Sequence, residues 1–254
     1  MVYIHGGAYE TGSALAYPSD ILALQGVVVV VIQYRLGPFG FLTTGDSAAP
    51  GNLGMLDQVE ALKWVQDNIE NFGGNRTKVT IFGESAGGSS VTLHLLSPLS
   101  EGLFHQVIAE SGVDLSIWAT QPASYGLGFA KDLAQKLNCP TGNHEEMVAC
   151  IHKKEAANIQ KAANSIIYPF VDYLRSAPVV DKHFLPDTPE NLRKNGYFRK
   201  VPLMISFNSN EAGIILGPMA NSLKLMESVD NGVSSSFFNT FLTRLAHARN
   251  LGYS

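Results

Sequence analysis

Chemistry in this sequence concentrates on one serine. Gly83, Glu84, Ser85, Ala86 and Gly87 set a hydroxyl between two glycines. A serine hydroxyl is a weak nucleophile at neutral pH, so a protein that uses it must expose it, supply a base and stabilise the oxyanion that its attack creates. The Gly-x-Ser-x-Gly spacing serves the first need, because it suits a sharp strand-to-helix turn whose strained backbone tolerates only small neighbours. The competing reading is an ordinary glycine-rich turn between a strand and a helix. A second glycine-rich stretch, His5, Gly6, Gly7 and Ala8, stands upstream. Two glycines let its backbone approach a substrate, and the amides of Gly7 and Ala8, with that of Ala86 after the serine, would donate to a developing oxyanion. Both turns in this order favour acyl transfer through Ser85.

The elements that must position these groups are legible in the hydrophobic pattern. Residues 2–4 read as a strand running into His5, and residues 27–33, continuously apolar and β-branched, as a strand buried on both faces. A loop rich in glycine and proline follows over residues 36–54. Between residues 55 and 72, Leu56, Val59, Leu62, Val65 and Ile69 recur every three or four positions, with Asp57, Glu60, Lys63 and Asp67 among them. That is the signature of an amphipathic helix, which Gly73 and Gly74 stop. Residues 78–82 form a short strand delivering the chain to the serine motif, and a helix over residues 89–96 follows it. The N-terminus of that helix directs partial positive charge at Ser85. Residues 106–109 and 201–206 are further strands, with mostly helical stretches between them. Strands alternating with helices predict an α/β fold, a mainly parallel sheet with helices on both faces. One domain over residues 1–254 is expected, with a less regular tail from about residue 218.

The sequence resembles the type-B carboxylesterase and cholinesterase family. The resemblance rests on residues 3–7, 34–42 (Tyr34, Arg35, Leu36, Gly37, Pro38, Phe39, Gly40, Phe41, Leu42), 51–54, 79–88 and 178–181 (Pro178, Val179, Val180, Asp181), in order along the chain. It implies the α/β-hydrolase fold, hydrolysis of small carboxylic esters through an acyl-enzyme on Ser85, and no cofactor or metal. Glu211 would be the acid that orients the triad histidine, although Ser206 and Ala212 stand where the family usually has glycine. Glu84 resembles the carboxylate beside the nucleophile, Ser111 a hydroxyl behind the triad, and Trp118 an aromatic of the acyl pocket. The family's triad histidine lies well beyond the acid, further than this sequence extends. His247 is the only histidine after Glu211, and its neighbours read as a helix. The expectation is therefore a chain truncated at both ends, lacking its base and close to inactive as written. The second reading suggested by the resemblance is a non-catalytic adhesion or binding protein like the neuroligins.

Bulk properties narrow the partners. The 254 residues are 45% hydrophobic and 16% charged, enough to bury a core, and the net charge of −4 offers no basic field for a nucleic-acid backbone. The apolar run over residues 26–32 is too short to span a bilayer. No signal peptide is legible at residues 1–8. Compartment therefore rests on the resemblance, which points to secretion or the endoplasmic reticulum lumen. The two cysteines, Cys139 and Cys150, suit a disulfide or a pair of small buried apolar side chains. The family resemblance implies the disulfide. Asn75, Arg76 and Thr77 form a glycosylation sequon, relevant only to a secreted chain. Oligomeric state is not legible.

Overall fold

The computed structural model describes residues 1–166 and 174–211. The expected tail from residue 218 and His247 lie outside the described residues. The chain divides into two compact units, the first of residues 1–168 and 173–206, the second of residues 169–172 and 207–254.

The first unit is built on five parallel strands: β1 (Val2–Ile4), β2 (Val30–Val31), β3 (Thr80–Glu84), β4 (Gln106–Glu110) and β5 (Leu203–Ser206), in the order β2-β1-β3-β4-β5. Eight α-helices accompany them among the described residues: α1 (Asp20–Ala23), α2 (Gly37–Phe41), α3 (Leu53–Asn68), α4 (Ala86–His94), α5 (Ala123–Lys136), α6 (His144–His152), α7 (Ala156–Asn164) and α8 (Pro189–Lys194). Parallel pairing follows from the crossovers, since strands joined by a helix return in the same direction. The α/β-hydrolase class expected from the sequence is thus realised in a parallel sheet with helices.

Register decides which side chains form the core. Val2, Ile81, Val107 and Leu203 share one row across the sheet, and Ile4, Gly83, Ala109 and Ile205 the next on the same face. That face packs on α3 and α4, where Val59, Leu62, Val65, Val91 and Leu93 are buried with Ile4, Ile81 and Ala109. On the opposite face the Tyr3 ring packs at a tilt against Tyr17 and Phe82, at 4.7 and 4.9 Å. A second cluster joins α5, α6 and α7 through Phe129, Leu133, Met147, Ile151 and Ile159. The Cys139–Cys150 disulfide staples the loop between α5 and α6 to α6.

The amphipathic helix matches its expected span closely: α3 ends at Asn68, continues as a 3-10 turn over Ile69–Phe72, and is stopped by Gly73 at φ 78°. The valine run departs from expectation. Only Val30 and Val31 pair, both half-buried, because β2 is the outermost strand on that side among the described residues. A continuous apolar run signals burial on both faces only when neighbours flank the strand on both edges. The residue 36–54 loop contains the short helix α2, begun by Pro38 in its first turn. On the other side, β5 is exposed along its length, with Met204 62% accessible.

Candidate active site

β3 ends at Glu84, and the chain turns at Ser85 with φ 56° and ψ −119° before entering α4. Few non-glycine residues adopt such a backbone, and holding one there costs on the order of 1 to 3 kcal/mol. The surroundings over-determine it. The Ser85 amide donates to Glu110 O at 2.8 Å, and Ser85 O accepts from the Ser89 amide at 2.9 Å. Gly87 packs directly on β1, where a Cβ would stand 1.9 Å from Ile4 O. The glycine expected at this position is therefore a requirement of close approach between α4 and the strand beside it.

The second glycine-rich stretch lies against the first. A Cβ on Gly6 would fall 2.6 Å from Glu84 O, 2.8 Å from Glu84 Oε2 and 3.1 Å from Ser85 Cβ. Gly7, Ala8 and Tyr9 then take three successive positive φ values of 110°, 57° and 58°. Among the described residues the amides of Gly7 and Ala8 donate to no other group, and the Ala86 amide, first in α4, has no acceptor within its helix. The helix N-terminus adds partial positive charge there.

What holds this loop was not visible in the sequence. The Tyr9 hydroxyl, fully buried, donates to Ser89 Oγ at 2.9 Å, and its ring packs on Phe41 at 5.0 Å. Burial pushes the phenol up to about 12, so it remains a donor at any working pH. Tyr9 O accepts from the Gly37 amide at 2.8 Å, and Gly7 O from the amides of Glu10 and Thr11. Glu10 pairs with Arg175 through two hydrogen bonds, and Arg175 also donates to Ala163 O in the last turn of α7 at 2.8 Å and to Ile166 O just beyond it at 3.0 Å. The buried His5 ring stacks on Tyr34 at 4.5 Å, while Tyr34 donates to His5 O at 2.8 Å. His5 thus braces the loop from beneath.

Other expected site residues fall as follows. Trp118 is partly buried, and a Cβ on Gly112 would touch both its ring, 2.9 Å from Cη2, and Ser85 O at 2.2 Å. Gly112 thus brings the Trp118 ring beside the serine backbone. Ser111 takes φ 51° and its amide donates to Ser206 O at 2.8 Å, at the end of β4. Glu84 is exposed at the strand end. Glu211 belongs to the second unit, where its Oε1 accepts from the Asn208 amide at 2.7 Å. Among the described residues no histidine is hydrogen-bonded to Ser85: His94 bonds Ser100 and Gln58, His105 Val79, and His144 Asp46. A cleft of about 860 Å³ lies at the opposite, N-terminal ends of the strands, between Met1, Val28, Val79 and Leu203. It contains none of these residues and is an open flank of the sheet, away from Ser85.

The carboxylesterase family matches residues 1–251. The chain belongs to that family. Among its carboxylesterase relatives, human cocaine esterase is 42% identical over 247 residues, covering 96% of this chain and 42% of that protein. Rat carboxylesterase 1C is 40% identical over 246 residues, 96% of this chain and 44% of that one. Mouse neuroligin-2 is 38% identical over 242 residues, 94% of this chain and 27% of that one. The chain spans less than half the length of each of these relatives. As a carboxylesterase-family chain it carries a parallel sheet whose β3–α4 junction presents Ser85.

Two polar contacts that motif reading passed over hold the surrounding loops. Asn52, in the Gly51 to Gly54 motif, donates to Val179 O at 2.8 Å and accepts from the Val179 amide at 2.9 Å. It thereby ties the start of α3 to the Pro178 to Asp181 motif. Asp114, 1% exposed, takes a bidentate pair from Arg193 of α8 at 2.6 Å for both contacts. This pair fixes the loop that leads to Trp118.

Proposed function

We propose that this chain carries the nucleophile and oxyanion-binding part of a serine carboxylic-ester hydrolase. Ser85 Oγ attacks the ester carbonyl, the amides of Gly7, Ala8 and Ala86 receive the oxyanion, the alcohol leaves, and water releases the acyl group. Glu211 is the acid, Glu84 and Ser111 support the site, and Trp118 borders the acyl group. We read residues 1–254 as part of one esterase domain. The observation that carries the reading is the strained turn at Ser85 with Gly6 packed against it and three amides free to donate. Membership of the carboxylesterase family supports it, and small-molecule esters are the substrate class.

No histidine among the described residues bonds Ser85, so the 254-residue chain by itself should turn over esters poorly. Loss of the base in a serine triad costs on the order of 10⁶ in turnover. The disulfide supports a secretory or lumenal compartment, and no helix among the described residues is long and apolar enough to cross a membrane. A fluorophosphonate probe applied to the full-length protein should label Ser85, and Ser85→Ala should abolish labelling. Absence of label would favour the adhesion reading, to which the 38% identity with neuroligin-2 lends its support. Hydrolysis of a short-chain nitrophenyl ester by the 254-residue chain, lost in Ser85→Ala, would show that a histidine within it serves as base.

A further inference from the structure

The Asn75 to Thr77 sequon, at the end of the sheet remote from Ser85, has no part in ester hydrolysis. Asn75 is exposed, and its Oδ1 accepts from the Thr77 amide at 2.8 Å and from Thr77 Oγ1 at 2.7 Å. Both bonds engage the oxygen, and among the described residues Nδ2 donates to nothing. The side-chain nitrogen is therefore the free end of the amide.

The segment that leads into this turn carries an unusual surface. Trp64 and Phe72 are 47% and 61% exposed, yet their rings pair at 5.7 Å. The sequon is folded back onto the segment that bears it: Gln66 donates to Arg76 O at 3.0 Å, and the Arg76 guanidinium meets Glu70 at 3.4 Å. Gly74 is drawn in the same direction, its amide donating to Ile69 O at 2.9 Å. A sugar ring presents a face of C–H bonds with partial positive charge, which complements the negative face of an aromatic ring. Phe72 precedes Asn75 by three residues, so the aromatic pair offers such a face to a carbohydrate attached there.

We propose that Asn75 is an N-glycosylation acceptor whose innermost N-acetylhexosamine packs on the Trp64 and Phe72 pair. In the modification, Asn75 Nδ2 attacks the anomeric carbon of a polyprenyl-diphosphate-linked oligosaccharide. The new C–N bond replaces the anomeric C–O bond, the polyprenyl diphosphate leaves, and Nδ2 gives up one proton. The disulfide between Cys139 and Cys150 belongs to the same oxidising pathway in which such donors act. Asn75 to Thr77 is the only sequon within residues 1–254, so this segment offers one acceptor. Covering the aromatic pair removes apolar surface from water that the bare chain leaves exposed. None of this depends on the reading of Ser85.

The protein isolated from its source is treated with peptide N-glycosidase in heavy-oxygen water and digested with trypsin. The peptide of residues 64–76 should carry the heavy-oxygen label at Asn75, and an unlabelled, unmodified Asn75 would overturn the site. When the chain is secreted from a eukaryotic host, Thr77→Ala should lose the glycan and Thr77→Ser should keep it. A glycan on Thr77→Ala would contradict the sequon. Enzymatic removal of the sugar should lower the melting temperature of the glycosylated chain by about 2 °C and leave that of Phe72→Ala unchanged. An equal fall in both would refute the aromatic platform.

Discussion

Replacing Ser85 by glycine should make the protein more stable while removing its reactivity. Ser85 sits at φ 56° and ψ −119°, and relieving such strain is worth about 1 to 3 kcal/mol. Against this, glycine adds freedom to the unfolded chain, at a cost of about 0.5 to 1 kcal/mol relative to alanine. The net gain is about 1 kcal/mol, or a rise of 2 to 4 °C in melting temperature for a chain of about this size. Ser85→Ala is the control, because it removes the hydroxyl and keeps the Cβ that creates the strain. Urea midpoints and thermal scans of the three proteins separate the two contributions. Ser85→Gly should exceed Ser85→Ala by about 1 kcal/mol, and neither should accept a fluorophosphonate label in the full-length protein. If Ser85→Gly were no more stable than Ser85→Ala, the claim that this turn stores strain would be wrong.

Four further outcomes follow from contacts elsewhere in the first unit. Gly87→Ala places a Cβ 1.9 Å from Ile4 O. Because a backbone carbonyl cannot rotate away, the loss of stability should reach the top of the overpacking range, about 3 kcal/mol in urea titration. Arg193→Met strands the buried Asp114 carboxylate and should cost about 3 kcal/mol, with Asp114→Asn added to it recovering part; an unchanged midpoint would argue that the pair is idle. Removing the disulfide with Cys139→Ala and Cys150→Ala should lower stability by about 3 kcal/mol on the chain-entropy account, read as a fall in melting temperature that reductant reproduces in the parent. His94 is buried, and that burial, with the nearby Arg199 charge, lowers its pKa from 6.5 to about 3. Above pH 6.5 it is neutral in both states; between 6.5 and about 3 the unfolded chain binds a proton that the native one refuses. Stability should therefore decline as pH falls through this window, by at most about 1.4 kcal/mol per pH unit, and His94→Gln should lose that component of the decline.

The sequence made α3 and the β3–α4 junction legible because both are local. A period of three to four apolar residues specifies a helix within its own span, and Gly-x-Ser-x-Gly specifies a backbone shape through the absence of side chains. β2 was misread because depth of burial depends on what lies beside a strand. Glu10 with Arg175, Asn52 with Val179, and Asp114 with Arg193 are joined across 165, 127 and 79 residues. No periodicity links partners so distant, and a lone Glu, Asn or Asp looks like any surface polar residue. Asn52 alone had a signal, its place inside a glycine-flanked family motif. The oxyanion loop was legible in its glycines and illegible in its supports: Tyr9 gives no hint in sequence that its hydroxyl will reach Ser89 on α4.

Identity alone does not separate an esterase from an adhesion relative, since 42% and 38% are nearly the same number. Backbone energetics bear on the choice. A protein that used this region only as scaffold would gain stability from glycine at residue 85, where φ is positive and a Cβ costs on the order of 1 kcal/mol. A serine there would need a compensating structural bond, yet among the described residues the Ser85 hydroxyl enters no hydrogen bond. The strained side chain contributes nothing visible to folding. It does stand beside Gly6, which leads into the unengaged amides of Gly7 and Ala8, and at the positive end of α4. Strain retained without structural return, beside Gly6 and a helix N-terminus, is what the proposed nucleophile would require, and it weighs toward the esterase proposal over a scaffold.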